Sequence, residues 1–234
     1  MAPKVLIVLT SADEFPGVGK TGWYLPEFAH PWEVLHGKTD LTIASPKGGA
    51  APLDQGSVEM FKADPVSQKF LAEQKALWEN TVKLADIVPR ASEFDAIFYV
   101  GGHGPIFDLT DDPTSLSLIQ TFAAAKKPVS AVCHGPTVFL KATTPDGKPL
   151  IEGASVTGFS NLEEEQVGLL SKMPFELETE LQRVSGGGFV KAADPWGEKV
   201  VVSKTNGIGG PLITGQNPAS GKAVAEAILK ELGL

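Results

Sequence analysis

Cys133 is the only cysteine among 234 residues, and a histidine follows it at once in the stretch SAVCHGP (Ser130–Pro136). A thiol beside an imidazole suits nucleophilic catalysis, in which the sulfur attacks and a base takes its proton. The residues before Cys133 are β-prone, and glycine and proline follow His134. The chain therefore reads as a buried strand that turns sharply into a helix, GPTVFLKA. Such a turn raises one side chain above the sheet, near the positive end of the next helix, where the field favours thiolate over thiol. This position outweighs the commoner fate of cysteine, which is inert burial. The backbone N–H of His134 would face a developing oxyanion. Sequence leaves open whether the His134 ring turns toward the sulfur.

Three further groups supply what a thiol needs. VGGHG (Val100–Gly104) ends another strand candidate. There Gly101 and Gly102, beside His103, let the backbone approach a substrate, although a plain tight turn reads the same way. TGFSNLEEE offers Glu163, Glu164 and Glu165 as partners for the His134 ring; at most one is catalytic, and the others are expected at a solvated helix start. Glu27 lies among Leu25, Pro26 and Phe28, where a carboxylate is costly to bury unless protonated or paired. A surface glutamate on an amphipathic helix is the plain alternative. His30 and His36 with Asp40 make only a weak metal set. GVGKTG (Gly17–Gly22) lacks the first glycine of a phosphate-binding loop, with Glu14 in its place, and GGHG is no dinucleotide fingerprint.

Positioning these residues falls to short apolar runs that alternate with helical patterns. Strands are predicted at Lys4–Thr10, Leu41–Ser45, Ala96–Gly102, Pro128–Cys133, Ala154–Phe159, Gly197–Thr205 and Gly210–Gly215. Helices are predicted over Leu25–His36, kinked or split at Pro31, and over Pro65–Glu79, Pro113–Lys127 and Met173–Val184. The last runs over Asn217–Leu232 with Asn217 as cap. This alternation predicts one α/β domain over residues 1–234, a doubly wound, mostly parallel sheet sandwiched by helices. Apolar residues make up 42% and charged residues 21%, as in ordinary globular chains. The formal charge of −8 disfavours nucleic acid, and no apolar run is long enough for a membrane span. The opening MAPKVLIVLT reads as a first strand and not a secretion signal, and a lone cysteine fits a reducing compartment, the cytoplasm.

Taken in order, VGGHGPIFDL, AVCHGPTVFL, PLIEGASVTGFSNLEEE and LITGQNPASG resemble the ThiJ/PfpI superfamily, relatives of the class I glutamine amidotransferase fold. KTGWYLPEFAHPWEV narrows the resemblance to the glutathione-independent glyoxalase (glyoxalase III) branch, whose members are also described as stress-response chaperones. The resemblance implies a flavodoxin-like fold and conversion of methylglyoxal, or glyoxal, plus water to lactate or glycolate without cofactor, a D-lactate dehydratase type of lyase. By the same resemblance Cys133 is the nucleophile, His134 the triad histidine and Glu27 the acid beside the sulfur. Glu164 is the triad carboxylate with Glu163 as fallback, and the Gly102 and His134 amides form the oxyanion hole, with Gly101 and His103 lining the substrate. Some bacterial relatives carry a metal; His36 and Asp40 match two ligand positions, but the third falls near Gln74, so no metal is expected. An added lid in some relatives is shorter here, so a more open pocket is expected. A homodimer is implied. Alternatives are a holdase for unfolded proteins, with Trp23, Tyr24, Phe28 and Trp32 as its apolar patch, a protein or nucleotide deglycase, and a cysteine amidase or peptidase.

Overall fold

Val5, Leu6, Ile7 and Val8 are all fully buried, so both faces of one strand are out of water. Only a central strand with helices on each side meets that condition. The computed structural model, which describes residues 2–204 and 209–234, has this form.

The chain opens with β1 (Lys4–Val8), the short hairpin β2 (Glu14–Phe15) and β3 (Gly19–Lys20), helix α1 (Pro26–Leu35) and β4 (Asp40–Ser45). Then come α2 (Gln55–Met60), α3 (Pro65–Glu73), α4 (Ala76–Glu79), β5 (Val82–Lys83), α5 (Leu84–Ile87), β6 (Ala96–Tyr99), α6 (Gly104–Asp108), α7 (Pro113–Ala124) and β7 (Val129–Val132). The last part holds α8 (Asn161–Gln166), α9 (Leu177–Val184), β8 (Val200–Lys204), β9 (Pro211–Gly215) and α10 (Gly221–Glu231). The seven-stranded sheet has the order β5-β4-β1-β6-β7-β9-β8, all parallel except β8, which runs antiparallel to β9. From β1 the chain builds outward to β4 and β5, then returns to place β6 on the other side of β1. The carboxyl ends of β1 and β6 therefore flank the point where strand order reverses, which is where such sheets bind ligands. No helix among the described residues is long and apolar enough to cross a membrane.

The doubly wound arrangement follows the sequence expectation, with differences that have physical causes. Ala154–Phe159 forms no sheet strand; only Val156 bridges, to Phe189. The Thr157 and Phe159 N–H groups donate instead to Thr214 Oγ1 (3.0 Å) and the Cys133 carbonyl (2.9 Å), and β9 already has β7 and β8 on its two edges. Helix α1 continues through Pro31 without splitting, packed against α10. The Pro65–Glu79 pattern breaks at Gln74 into α3 and α4. Asn217 does not cap α10 with its side chain, which is engaged by Glu163 and Gly197. The strand predicted over Gly197–Thr205 is β8 at Val200–Lys204, and Thr205 lies outside the described residues.

Three of the four aromatic residues expected to form an apolar patch are core, while Tyr24 is half-buried and lines a cavity. Trp23 meets Phe28 and Trp78 edge-on at centroid distances of 5.6 and 5.3 Å, and Phe28 meets Phe70 at 4.9 Å. Trp23, Phe28 and Trp32 are buried, so the apolar surface expected of a holdase is not formed by them.

Ile7 pairs with Ile43 and Phe98 at the centre of the sheet and is fully buried. Ile7→Ala is expected to cost about 2–5 kcal/mol of folding stability, read as a lower urea midpoint at unchanged m-value; no change would place that strand outside the cooperative core.

Candidate active site

The strands β6 and β7 are neighbours, and the residues that follow them form the site. Cys133 has φ +60°, the left-handed region that a non-glycine residue occupies only when its surroundings enforce it. Both of its backbone groups are held: its N–H donates to the Gly215 carbonyl (2.9 Å), and its carbonyl accepts from Phe159 N–H (2.9 Å). This clamp turns the side chain out of the strand direction and toward the end of β6. The segment after it, Gly135–Phe139, is a five-residue 3₁₀ turn and not the expected α-helix.

The His134 ring turns back to the sulfur. Its Nδ1 lies 3.3 Å from Cys133 Sγ, and its Nε2 lies 2.6 Å from Glu164 Oε2. The other oxygen of Glu164 lies 2.8 Å from His103 Nε2, so one carboxylate joins two imidazoles whose centroids are 4.2 Å apart. Burial opposes the Glu164 charge. Attraction to His134 and hydrogen bonds from both rings outweigh burial and hold the group well below the usual carboxylate range. An ionised carboxylate only accepts, so each Nε2 carries the proton it donates. Burial, then the neighbouring His103, lowers the His134 pKa against the pull of Glu164. A neutral His134 with its proton on Nε2 presents a bare Nδ1 to the thiol.

On the opposite side of the sulfur, Glu27 is completely buried, and neither carboxyl oxygen makes a well-formed hydrogen bond. Burial raises its pKa to about 8, opposed in part by the nearby Cys133 thiol and Gly101 N–H. Gly101 is what makes room: a Cβ there would lie 2.3 Å from Glu27 Oε2 and 2.5 Å from the Val132 carbonyl. The Gly102 N–H faces the sulfur, and neither it nor the His134 N–H reaches a backbone acceptor among the described residues. Burial, then the Glu27 charge, pushes the Cys133 thiol well above its ordinary value. The sequence expectation of a favoured thiolate is thereby corrected. The sulfur is buried and flanked by a carboxyl, and no long helix points its positive end at it.

Of the three consecutive glutamates, only Glu165 is solvated; Glu163 and Glu164 are buried, against the expectation of a solvated helix start. Glu163 faces away from the imidazoles and closes a capping box with Ser160 at the start of α8. The pattern Ser160-x-x-Glu163 carries that signal in the sequence, and it assigns Glu163 to the helix terminus and leaves Glu164 and Glu165 for the ring. Sequence reasoning did not find the walls of the site. A cavity of about 50 Å³ beside Cys133 and Glu27 is lined also by Tyr24, Met60, Phe159, Trp196 and Pro218. By that measure one water needs about 10–15 Å³, so the space suits a molecule of a few non-hydrogen atoms. The pocket is small.

His30 bonds Asp64 (2.8 Å) and His36 bonds the Trp32 carbonyl (2.9 Å), so these two do not gather with Asp40 into a cation site. Among the described residues the group with metal-ligand spacing is His103, His134 and Glu164. It could hold a cation only by giving up both imidazole–carboxylate hydrogen bonds.

The family model described as the DJ-1/PfpI family matches residues 22–231. The chain is 29% identical to glyoxalase 3 of Candida albicans over 97% of this chain and 97% of that relative. The structure superposes on that of glyoxalase III from Candida albicans with a TM-score of 0.85 and 28% identity, covering 98% of this chain and 97% of the other. It superposes on the Rapid Encystment Protein of Francisella tularensis with a TM-score of 0.88 and 33% identity, covering 98% and 99%.

The raised Glu27 pKa has a consequence for stability. The folded chain holds that proton up to about 8, whereas an unfolded glutamate releases it near 4.5. The resulting stabilisation is complete below 4.5 and is lost as pH rises through about 8. Asp108, raised by burial to about 6, acts in the same direction over a lower window. The urea midpoint should therefore fall from pH 6.5 to pH 9, and Glu27→Gln, which cannot ionise, should show a smaller fall over that interval. Equal falls would mean that Glu27 titrates normally.

Proposed function

The chain belongs to the DJ-1/PfpI family, and from that premise we propose that it is a glutathione-independent glyoxalase converting a small 2-oxoaldehyde such as methylglyoxal, with water, to the 2-hydroxy acid. One observation supports this reading most directly. The sulfur of Cys133 stands between a neutral imidazole at 3.3 Å and a buried carboxyl titrating near 8, at the floor of a cavity of about 50 Å³. A nucleophile and two proton-exchanging groups around so small a space fit a substrate of a few atoms. A tripeptide thiol is far larger than the cavity, and Cys133 takes the place that such a thiol would have.

The first step joins sulfur to the aldehyde carbon while the thiol proton passes to His134 Nδ1. His134 Nδ1 is placed to take that proton, since burial favours the thiol over the thiolate. The imidazolium formed is held by the Glu164 carboxylate. The carbonyl oxygen becomes an alkoxide facing the Gly102 and His134 amides; one such preorganised donor is worth roughly 3 kcal/mol. In the second step the C1 proton is removed and C2 is protonated, through an enediol, which turns the hemithioacetal into a thioester with no net oxidation. The ionised form of Glu27 takes the C1 proton and returns it to C2; a group titrating near 8 keeps a share of that form at neutral pH, so Glu27 is assigned this transfer. Water then cleaves the thioester, releases the 2-hydroxy acid and restores the thiol.

A cytosolic setting, which keeps the lone thiol reduced, and a homodimer belong to the same proposal and rest on the free cysteine and on the family resemblance. A holdase activity would need a surface other than Trp23, Phe28 and Trp32.

The test is lactate formation from methylglyoxal without glutathione. Wild-type turnover is expected, and none would overturn the assignment. Cys133→Ala should lower kcat/KM by at least ~10³-fold, and retained turnover would exclude covalent catalysis at that position. Glu27→Gln should depress kcat more than it raises KM, whereas equal effects on both would reduce Glu27 to substrate positioning.

A further inference from the structure

Glu163 is completely buried, yet the reaction outlined above does not use it. Its Oε2 accepts from the Ser160 N–H (2.9 Å) and hydroxyl (2.7 Å). Its Oε1 accepts from Asn217 Nδ2 (2.8 Å), Trp196 N–H (2.9 Å) and Gln216 Nε2 (3.0 Å). The same two amide side chains also hold the irregular segment around Trp196. Gln216 Oε1 accepts from Ala192 N–H (2.7 Å), and Asn217 Nδ2 donates to the Gly197 carbonyl (2.8 Å). Lys199 N–H adds a bond to Ser220 Oγ (3.1 Å). A stretch without regular structure is thus fastened at four backbone groups, with Glu163 at the centre.

That stretch carries Trp196 at φ +64°, a left-handed conformation that a tryptophan keeps only under restraint. The indole N–H donates to Gln166 Oε1 (2.6 Å), and the ring packs edge-on against Phe159 at 5.5 Å, at the cavity that Cys133 also lines. Trp196, Tyr24, Met60 and Pro218 line the reaction cavity and also a neighbouring cavity of about 230 Å³ that continues toward Phe61 and Lys222. The residues shared by both spaces stand where the two adjoin. In the glyoxalase reading the reacting carbon sits at Cys133 on the small side, and a long substituent directed toward the larger space would pass Trp196.

We propose that Trp196, fastened through its backbone by Glu163, is a specificity-determining wall that restricts the substrate to 2-oxoaldehydes with a substituent about the size of methyl. The inference rests on the glyoxalase reading for its substrate class but not for its geometry. Glu163 here is a positioning residue, acting through Trp196. A glutamine in its place would turn an amide N–H₂ toward groups that are themselves donors, which loosens the strap without changing the shape of the side chain.

Three measurements test it. First, Trp196→Ala should raise kcat/KM for phenylglyoxal relative to methylglyoxal by about tenfold or more, the range that added apolar bulk commands in a closed pocket; Trp196→Phe should restore most of the wild-type ratio, and Glu163→Gln should shift it in the same direction as Trp196→Ala. Second, independent of turnover, Cys133 is the only thiol, so its labelling by iodoacetamide and by a pyrene maleimide compares small with bulky access. The bulky-to-small rate ratio should rise in Trp196→Ala and Glu163→Gln. Third, Trp196 is 41% exposed while Trp23, Trp32 and Trp78 are 0%, 9% and 5%, so acrylamide quenching reports Trp196 and should increase in Glu163→Gln. An unchanged labelling ratio in Trp196→Ala overturns the wall, whatever the activity. Unchanged quenching together with an unchanged ratio in Glu163→Gln overturns the fastening. A shifted labelling ratio in a protein that forms no lactate sinks the glyoxalase reading and leaves the wall standing. If Glu163→Gln does not fold, Gln166→Ala releases the indole alone; it should shift the labelling ratio in the same direction to a smaller extent, and no shift counts against the fastening.

Discussion

A carboxyl, a thiol and an imidazole are brought into contact out of water, and much of the site's architecture accommodates that arrangement. In solvent these groups would titrate separately, and the thiol would meet no fixed base. Buried together they share protons. Glu27 is held as an acid to about pH 8, the thiol is held protonated, and His134 stays neutral with Nδ1 free. Such burial is costly, and the surrounding backbone is shaped to permit it. Gly101 has no side chain because Glu27 occupies that space, and Cys133 keeps a left-handed φ because both of its backbone groups are bonded to other segments.

The two buried glutamates of α8 divide the remaining work between them. Successive residues at a helix start point in different directions. Glu164 therefore reaches the two imidazoles on one side while Glu163 reaches Gln216, Asn217 and the Trp196 segment on the other. Rotation of this short helix would disturb the His134 base and the cover of the cavity together. The capping box at Ser160 fixes that rotation locally, and the bonds from β9's end fix it from outside. Chemistry and enclosure are thus tied to the same first turn of one six-residue helix.

Much of the fold was legible because its signal is local. Continuous apolar runs such as Val5–Val8 and Val129–Val132 mark strands buried on both faces, and prolines mark helix starts at Pro26, Pro65 and Pro113. The misread elements were those whose neighbours decide. Ala154–Phe159 has a strand's composition but no free sheet edge, and Asn217 has a cap's composition but a buried carboxylate within reach.

The sequence by itself determined that one thiol stands at a sharp turn after a parallel strand, with histidine, paired glycines and a nearby acidic run, because residue type and spacing along the chain carry that information. Tertiary structure alone decided that the His134 ring turns back to the sulfur, that burial disfavours the thiolate, and that a tryptophan 63 residues beyond the cysteine lines the cavity. The reason is physical. Direction of a side chain, loss of water around it and contact between distant segments are properties of packing, and packing is set by the whole chain at once.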